Sequence, residues 1–348
     1  MLAAVLEDVN FIGVREIVRP QLTAGSALLK VHSCGFCGSD LKFITSRDRI
    51  KKYPAILGHE IAGEIVAIDK GIAAKFKKGD RVAMAAEVPC LNCVPCHKGL
   101  FNLCDDVLSI GTTISGGFCE YMLLTPEMIT RGPINTIPDT VTYDEAALAE
   151  SLGCVINGLE FARMSREKTV LIIGTGYMGC LTINMARQMG AKTITVVDNN
   201  PQRIEQAKGF QPDHTVRTQE TESFVGTVMD LVDNAGYDVV MTTCSDIGVY
   251  NQAVLTAAKG GFVNLFGGIK KGLPDTVAFS NNFVHYRGIS MGGSFSATRD
   301  HHKKALDCLE KGVIETDRLI THRFKLAEFD QALTVAKKQE GLKVMINP

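Results

Sequence analysis

Three residue types that bind zinc fall close together early in the chain. Cys37 sits in Gly35-Phe36-Cys37-Gly38-Ser39-Asp40, and Gly58-His59-Glu60 follows it. A thiolate, an imidazole and a carboxylate are ligand types of catalytic Zn²⁺ sites. On their own they fit a core cysteine and an unrelated histidine equally well, because two ligands do not make a site. A second cluster is sharper: Cys90-x2-Cys93-x2-Cys96-x7-Cys104 brings four thiols into one short loop. Four thiolates complete a tetrahedral Zn²⁺ shell and leave no open position, so such a site is structural. An iron–sulfur cluster is the rival, since C-x2-C-x2-C also opens ferredoxin motifs. The longer final gap and the absence of proline after Cys104 favour zinc. His97 lies inside the loop, but four cysteines suffice.

A third pattern is built for a dinucleotide. Gly174-Thr175-Gly176-Tyr177-Met178-Gly179 follows the apolar run Thr169 to Ile173 and opens an amphipathic helix. Asp198 then closes the next apolar run. In such a fingerprint the first glycine makes the tight turn and the second lets the backbone approach a pyrophosphate. The third lets helix and strand pack closely, with the pyrophosphate at the helix N-terminus. Asp198 is expected to accept from the adenosine ribose hydroxyls and to repel a 2′-phosphate, favouring NAD over NADP. Asn199 and Asn200 follow it, with no basic residue between. The motif alone does not separate nicotinamide from flavin dinucleotides.

The elements that must hold these groups change character along the chain. Residues 1–33 alternate as short strands, with further strand candidates at Ile61 to Ile68 and Arg81 to Met84, so the first 130 residues or so read as an all-β, loop-rich module. Thr142-Tyr143-Asp144-Glu145 is a capping-box pattern opening an apolar helix. From there to about residue 292, strand-like and helix-like segments alternate, which argues a parallel sheet with right-handed crossovers. The last fifty or so residues, with helical patterns near His301 to Lys311 and Leu326 to Lys338, break that alternation and are expected to return to the first module.

Composition excludes several classes. The 348 residues carry 45% hydrophobic and 22% charged side chains, the balance of an ordinary globular protein of about two domains. A net charge of −1 offers nothing to nucleic acid or a membrane surface. No apolar run nears the roughly 18 residues of a membrane helix. The start, Met1 to Asp8, lacks a basic n-region and an uninterrupted h-region, so a cytoplasmic location is expected. Eleven cysteines in a reducing compartment point to metal and to small buried side chains rather than disulfides.

Taken together, the order Cys37, Gly58-His59-Glu60, four-cysteine loop, G-x-G-x-x-G and acidic residue resembles the zinc-containing medium-chain dehydrogenases of the alcohol dehydrogenase superfamily, over essentially the whole length. The resemblance implies an α/β protein: a Rossmann doubly wound parallel sheet over 147–294, and a discontinuous, mainly β, GroES-like catalytic domain over 1–146 and 295–348. A structural-zinc lobe at 88–106 belongs to the latter. It implies two Zn²⁺ per chain, one catalytic and one structural, with NAD as cofactor and a homodimer or homotetramer as the assembly. It assigns Cys37 and His59 to the catalytic zinc, with Glu60 a ligand or directly behind the metal.

The remaining ligand in this family comes from the region Ala149-Glu150-Ser151-Leu152-Gly153-Cys154. The polyol branch typically shows Glu-Pro-Leu there, so the match to Glu150-Ser151-Leu152, proline aside, favours Glu150. Cys154, on the same helix face, is the competitor. Ser39 is the residue the family uses to take the substrate proton while the zinc acts as a Lewis acid. Without Cys37 beside it, Ser39 reads as a turn residue bonding its own backbone. Lys42 stands where many members carry a relay histidine, and Asp40 reads as a turn carboxylate.

Tyr177, Met178, Arg203, Thr242, Thr243 and the Gly267-Gly268 loop are the remaining cofactor candidates, each also explicable as turn chemistry; His285, between Asn282 and Tyr286, reads as structural. The basic run Arg47, Arg49, Lys51, Lys52 reads first as a solvated face, with recognition of a substrate phosphate as the sharper alternative. The expectation is oxidation of a secondary hydroxyl of a polyol, with sorbitol or L-iditol as type substrate, to a ketose. A polyol phosphate, L-threonine, a simple secondary alcohol, or a non-catalytic dinucleotide-binding role are the alternatives.

Overall fold

A computed structural model describes residues 1–47, 50, 52–72, 75–221, 223–269 and 272–348. The chain forms two compact units. One comprises Met1–Cys154, Ser296–Gly312 and Thr316–Pro348; the other comprises Val155–Phe295 and Val313–Glu315.

The first unit is mainly β. Its largest sheet runs Ile134–Thr136, Arg81–Met84, Glu60–Ile68, Ala27–Phe36, Lys343–Asn347, Ile320–Lys325, with Tyr121–Leu124 also pairing the Ala27–Phe36 strand. The last two strands come from the C-terminal residues, so the tail does return to the first module. The central strand Ala27–Phe36 is antiparallel to both Glu60–Ile68 and Lys343–Asn347. Buried Phe36, Phe118 and Phe329 pack edge and face, with centroids 5.3 to 5.9 Å apart, and tie the tail helix Phe329–Lys338 to this sheet. The expected all-β reading needs one amendment: short helices Gly38–Ile44, Val94–His97 and Pro126–Arg131 interrupt it. Each begins at a turn or proline that periodicity over a few residues does not resolve. The capping box at Thr142 is present, Thr142 and Glu145 bonding each other's backbone reciprocally.

The second unit holds a six-stranded, all-parallel sheet in the order His214–Arg217, Thr193–Asp198, Thr169–Ile173, Tyr237–Thr242, Ala257–Asn264, Ser290–Gly292. This is the 3-2-1-4-5-6 order of the doubly wound dinucleotide fold. Its central strands are near-continuous runs of Val, Ile and Leu because both faces are covered. No helix among the described residues is long and apolar enough to cross a membrane.

Candidate metal centre and dinucleotide cradle

Cys37 directly follows the strand Ala27–Phe36 and N-caps the helix Gly38–Ile44, while Glu60 opens the strand Glu60–Ile68. Strand pairing brings the two loops together, Gly35 standing opposite Glu60. The ligand atoms of Cys37, His59 and Glu60 lie within 4.8 Å of one another. Gly35 makes room for this: a β-carbon there would lie 1.9 Å from Glu60 Oε2. Ser39 Oγ is 3.4 Å from His59 Nε2.

Asp40, read from sequence as a turn carboxylate, does more than close the turn. Fully buried, it accepts from the Cys37 N–H at 2.9 Å and the Gly58 N–H at 3.4 Å, and it lies 3.4 Å from His59 Nδ1. It therefore fixes the backbone before one ligand and the ring orientation of the other, as carboxylates behind metal-bound histidines do. Burial opposes charge on His59, but Asp40 and then Cys37 outweigh it and raise its proton affinity well above the ordinary value.

Sequence reasoning missed Lys343. Only 2% exposed, its Nζ lies 2.7 Å from both oxygens of the fully buried Glu60 and 3.4 Å from the Phe36 carbonyl. A lysine leading the apolar run Val344-Met345-Ile346 was the available signal. Glu150 stands on the helix Ala149–Phe161, outside the three-residue set, with the Cys154 thiol donating to its Oε1 at 3.8 Å. Burial pushes the Glu150 carboxyl up to about 7; His59 and Lys343 work against that, Glu60 and Glu87 with it. Lys42 is exposed on its helix. In the basic run, Arg47 is bound to Asp8 through both carboxylate oxygens and Lys52 is exposed; Arg49 and Lys51 lie outside the described residues.

The second cluster gathers the ligand atoms of Cys90, Cys93, Cys96 and Cys104 within 4.8 Å. Backbone N–H groups of Cys90, Asn92 and Asp105 donate to the sulfurs of Cys104, Cys90 and Cys93 at 3.1 to 3.4 Å. Burial opposes the Cys93 thiolate, but N–H donors from Asp105 and Cys96 bring it down to about 7, while burial pushes Cys104 up to about 12. Thiols this close cannot all ionise without a cation among them, so the donor set fits a closed Zn²⁺ site. His97 is exposed and outside the set.

In the other unit, Gly174 adopts φ +102°, which a side chain would disfavour, and makes the sharp turn after the strand Thr169–Ile173. A β-carbon on Gly179 would lie 2.0 Å from the Gly174 carbonyl oxygen, whereas one on Gly176 would meet nothing within 4 Å. The turn is thus closed behind and open in front of the helix Tyr177–Gln188, a cradle that fits a pyrophosphate. Tyr177 and Met178 sit half-buried in its first turn. Thr243 Oγ1 donates to the carbonyls of Gly174 (2.6 Å) and Ile173 (3.2 Å), pinning the turn. Thr242 is buried, bonded to the Asn264 carbonyl. The Gly267 N–H donates to the Thr242 carbonyl, and Arg203 is half-buried near the start of the helix Pro201–Lys208. Asp198 is 6% exposed; its Oδ2 accepts from the Thr175 N–H at 2.7 Å and hydroxyl at 3.0 Å, and its Oδ1 from the Asn200 N–H at 2.8 Å. His285 and Tyr286 pack ring to ring on the helix Asn281–Arg287.

Residues 23–134 match the family model of the alcohol dehydrogenase GroES-like domain, and 178–311 that of the zinc-binding dehydrogenase. The chain is 31% identical to a sorbitol dehydrogenase of Bacillus subtilis over 100% of its length and 97% of the relative's. It is 30% identical to a D-altritol 5-dehydrogenase of Agrobacterium fabrum over 90% of this chain and 89% of that one. A Sinorhizobium meliloti 1021 protein described as a zinc-binding dehydrogenase, solved with NADP bound, superposes with a TM-score of 0.92 at 28% identity, covering 100% of this chain and 99% of its own.

Proposed function

The chain belongs to the zinc-containing medium-chain alcohol dehydrogenase family, among its sorbitol and polyol relatives, and from that premise we propose that it oxidises a secondary hydroxyl of a polyol to a ketose with NAD as hydride acceptor. Sorbitol or L-iditol is the type substrate. The observation that carries the reading is the convergence of Cys37, His59 and Glu60, with Glu150 on a helix of the same unit.

In this reading Cys37 and His59 hold the catalytic zinc and Asp40 orients His59. Glu60, its charge matched by Lys343, would serve as a ligand of that ion or stand directly behind it. Glu150 would complete the shell; its carboxyl gives up its proton near neutrality, so a bound dication would hold it ionised. A zinc ion there supplies the Lewis acidity that lowers the pKa of a substrate hydroxyl. Ser39 Oγ would accept that hydroxyl's proton while passing its own on to water, a relay rather than a terminal base. The fingerprint turn from Gly174 to Gly179, with Tyr177 and Met178, holds the pyrophosphate, and Asp198 selects the unphosphorylated ribose, with Arg203, Thr243 and Gly267 around it. Cys90, Cys93, Cys96 and Cys104 hold a second, structural zinc. Reduced thiols at both sites suit the cytoplasm. The assembly is a homodimer or homotetramer. Arg47, already committed to Asp8, leaves the basic run a weak phosphate site.

The test is a screen of NAD⁺ and NADP⁺ against sorbitol, L-iditol, polyol phosphates, L-threonine and 2-propanol, with zinc counted by mass spectrometry. Fastest reduction with NAD⁺ and a free polyol, and two zinc ions per chain, is expected. Equal or faster turnover of a phosphate or of L-threonine would overturn the substrate, and a strong NADP⁺ preference the cofactor.

A further inference from the structure

We propose that Thr175, the residue between the first two fingerprint glycines, is the positioning residue that sets the cofactor specificity of Asp198; this rests on the NAD reading above. A carboxylate offers about four lone-pair directions. In Asp198 three are taken: both on Oδ2 by the N–H and hydroxyl of Thr175, and one on Oδ1 by the Asn200 N–H. Thr175 is fully buried and Asp198 nearly so, which leaves the carboxylate locked in one rotamer with a single direction on Oδ1 still open. Asp198 therefore receives one ribose hydroxyl directly rather than chelating two. The rotamer that presents Oδ1 is held by a hydroxyl from the neighbouring strand's turn, not by the aspartate's own backbone alone.

The backbone N–H of residue 175 survives any substitution except proline, so the Thr175 hydroxyl is the separable part. Thr175→Val keeps the shape and removes only that donor. Freed of it, the carboxylate can rotate away from the ribose, which loses affinity for a 2′-hydroxyl and relaxes repulsion of a 2′-phosphate.

Calorimetric titration of the zinc-loaded full chain with NAD⁺ and with NADP⁺ tests this, because a Kd reports only on protein competent to bind. Thr175→Val is expected to weaken NAD⁺ and to lower the ratio of the NADP⁺ to NAD⁺ dissociation constants on the order of tenfold, the scale of a hydrogen bond to a charged group. Thr175→Ser, which keeps the hydroxyl, is expected to hold the ratio within about twofold. Thr175→Ala removes the same donor with a smaller side chain, so a folding failure of the valine variant leaves the decision intact. An unchanged ratio in both Thr175→Val and Thr175→Ala, in a wild type that prefers NAD⁺, overturns the role of Thr175 alone. A wild type that binds NADP⁺ more tightly overturns the cofactor reading and the inference with it.

Discussion

The Nζ of Lys343 stands 2.7 Å from each oxygen of the Glu60 carboxylate, both side chains almost wholly out of water. The two residues lie on strands that flank the central strand Ala27–Phe36, and the glycine opposite Glu60, Gly35, leaves the gap through which they meet. A buried pair of this kind is costly to break from one side only, because the survivor is a desolvated, unpaired charge. Lys343→Met is expected to destabilise the fold by about 3–5 kcal/mol. Lys343→Met combined with Glu60→Gln should recover most of that loss. Chemical unfolding of the single and double variants measures the coupling, and equal losses in both would deny it.

Asp40 predicts a metal-affinity effect rather than a folding effect. Asp40→Asn keeps one oxygen, enough for the Cys37 N–H, but loses the charge and the second oxygen that face His59 and the Gly58 N–H. Zinc affinity, read by competition with a chelator, should fall about 10–100-fold, the usual consequence of losing a carboxylate behind a ligating histidine. Unchanged affinity would reduce Asp40 to the turn carboxylate its sequence context suggests.

Glu150 and Cys154 are separable by proton release. The Glu150 carboxyl, raised by burial to about 7 from an ordinary 4.5, holds its proton in the metal-free fold across that window. The unfolded chain has lost that proton there, so the group's contribution favours folding at low pH and is lost as pH rises through about 7. Zinc binding near pH 6 should displace the proton. Glu150→Gln should reduce both proton uptake by the buffer and catalytic-site zinc, whereas Cys154→Ser should change neither. The reverse pattern would hand the ligand role to Cys154.

His302 sets an acid limit on the first unit. It is 1% exposed, its Nδ1 accepts from Asn135 Nδ2 at 2.9 Å, its Nε2 has no partner among the described residues, and burial lowers its pKa to about 3 from 6.5. The folded protein keeps it neutral while the unfolded chain binds a proton below 6.5, so its contribution is present above that pH and is lost as pH falls toward 3. The loss is at most about 5 kcal/mol. In His302→Gln the fall in unfolding midpoint between pH 6.5 and 4 should flatten; an identical acid limb would rule the residue out.

Much of the site was legible because its chemistry is local. Ligand type and spacing identify the four-cysteine loop, since thiols a few residues apart in a tight turn meet whatever the rest of the chain does. The Gly174 to Gly179 turn is legible for the same reason: its φ and close approaches are backbone requirements that only glycine meets. Alternation of apolar segments likewise determined the parallel sheet, although periodicity over six or seven residues passed over the helix at Gly38–Ile44.

What the tertiary structure decided lies between residues far apart in sequence. Strand register places Glu60 opposite Gly35 and brings Lys343, from the C-terminal tail, to the same carboxylate. Asp40 acquires its hold on His59 only when two loops converge, and Asp198 is committed to Thr175 only because neighbouring parallel strands end side by side. Composition and spacing say which groups are able to bind a metal or a ribose. Which of their lone pairs are already taken depends on long-range pairing, and a linear pattern does not carry that information.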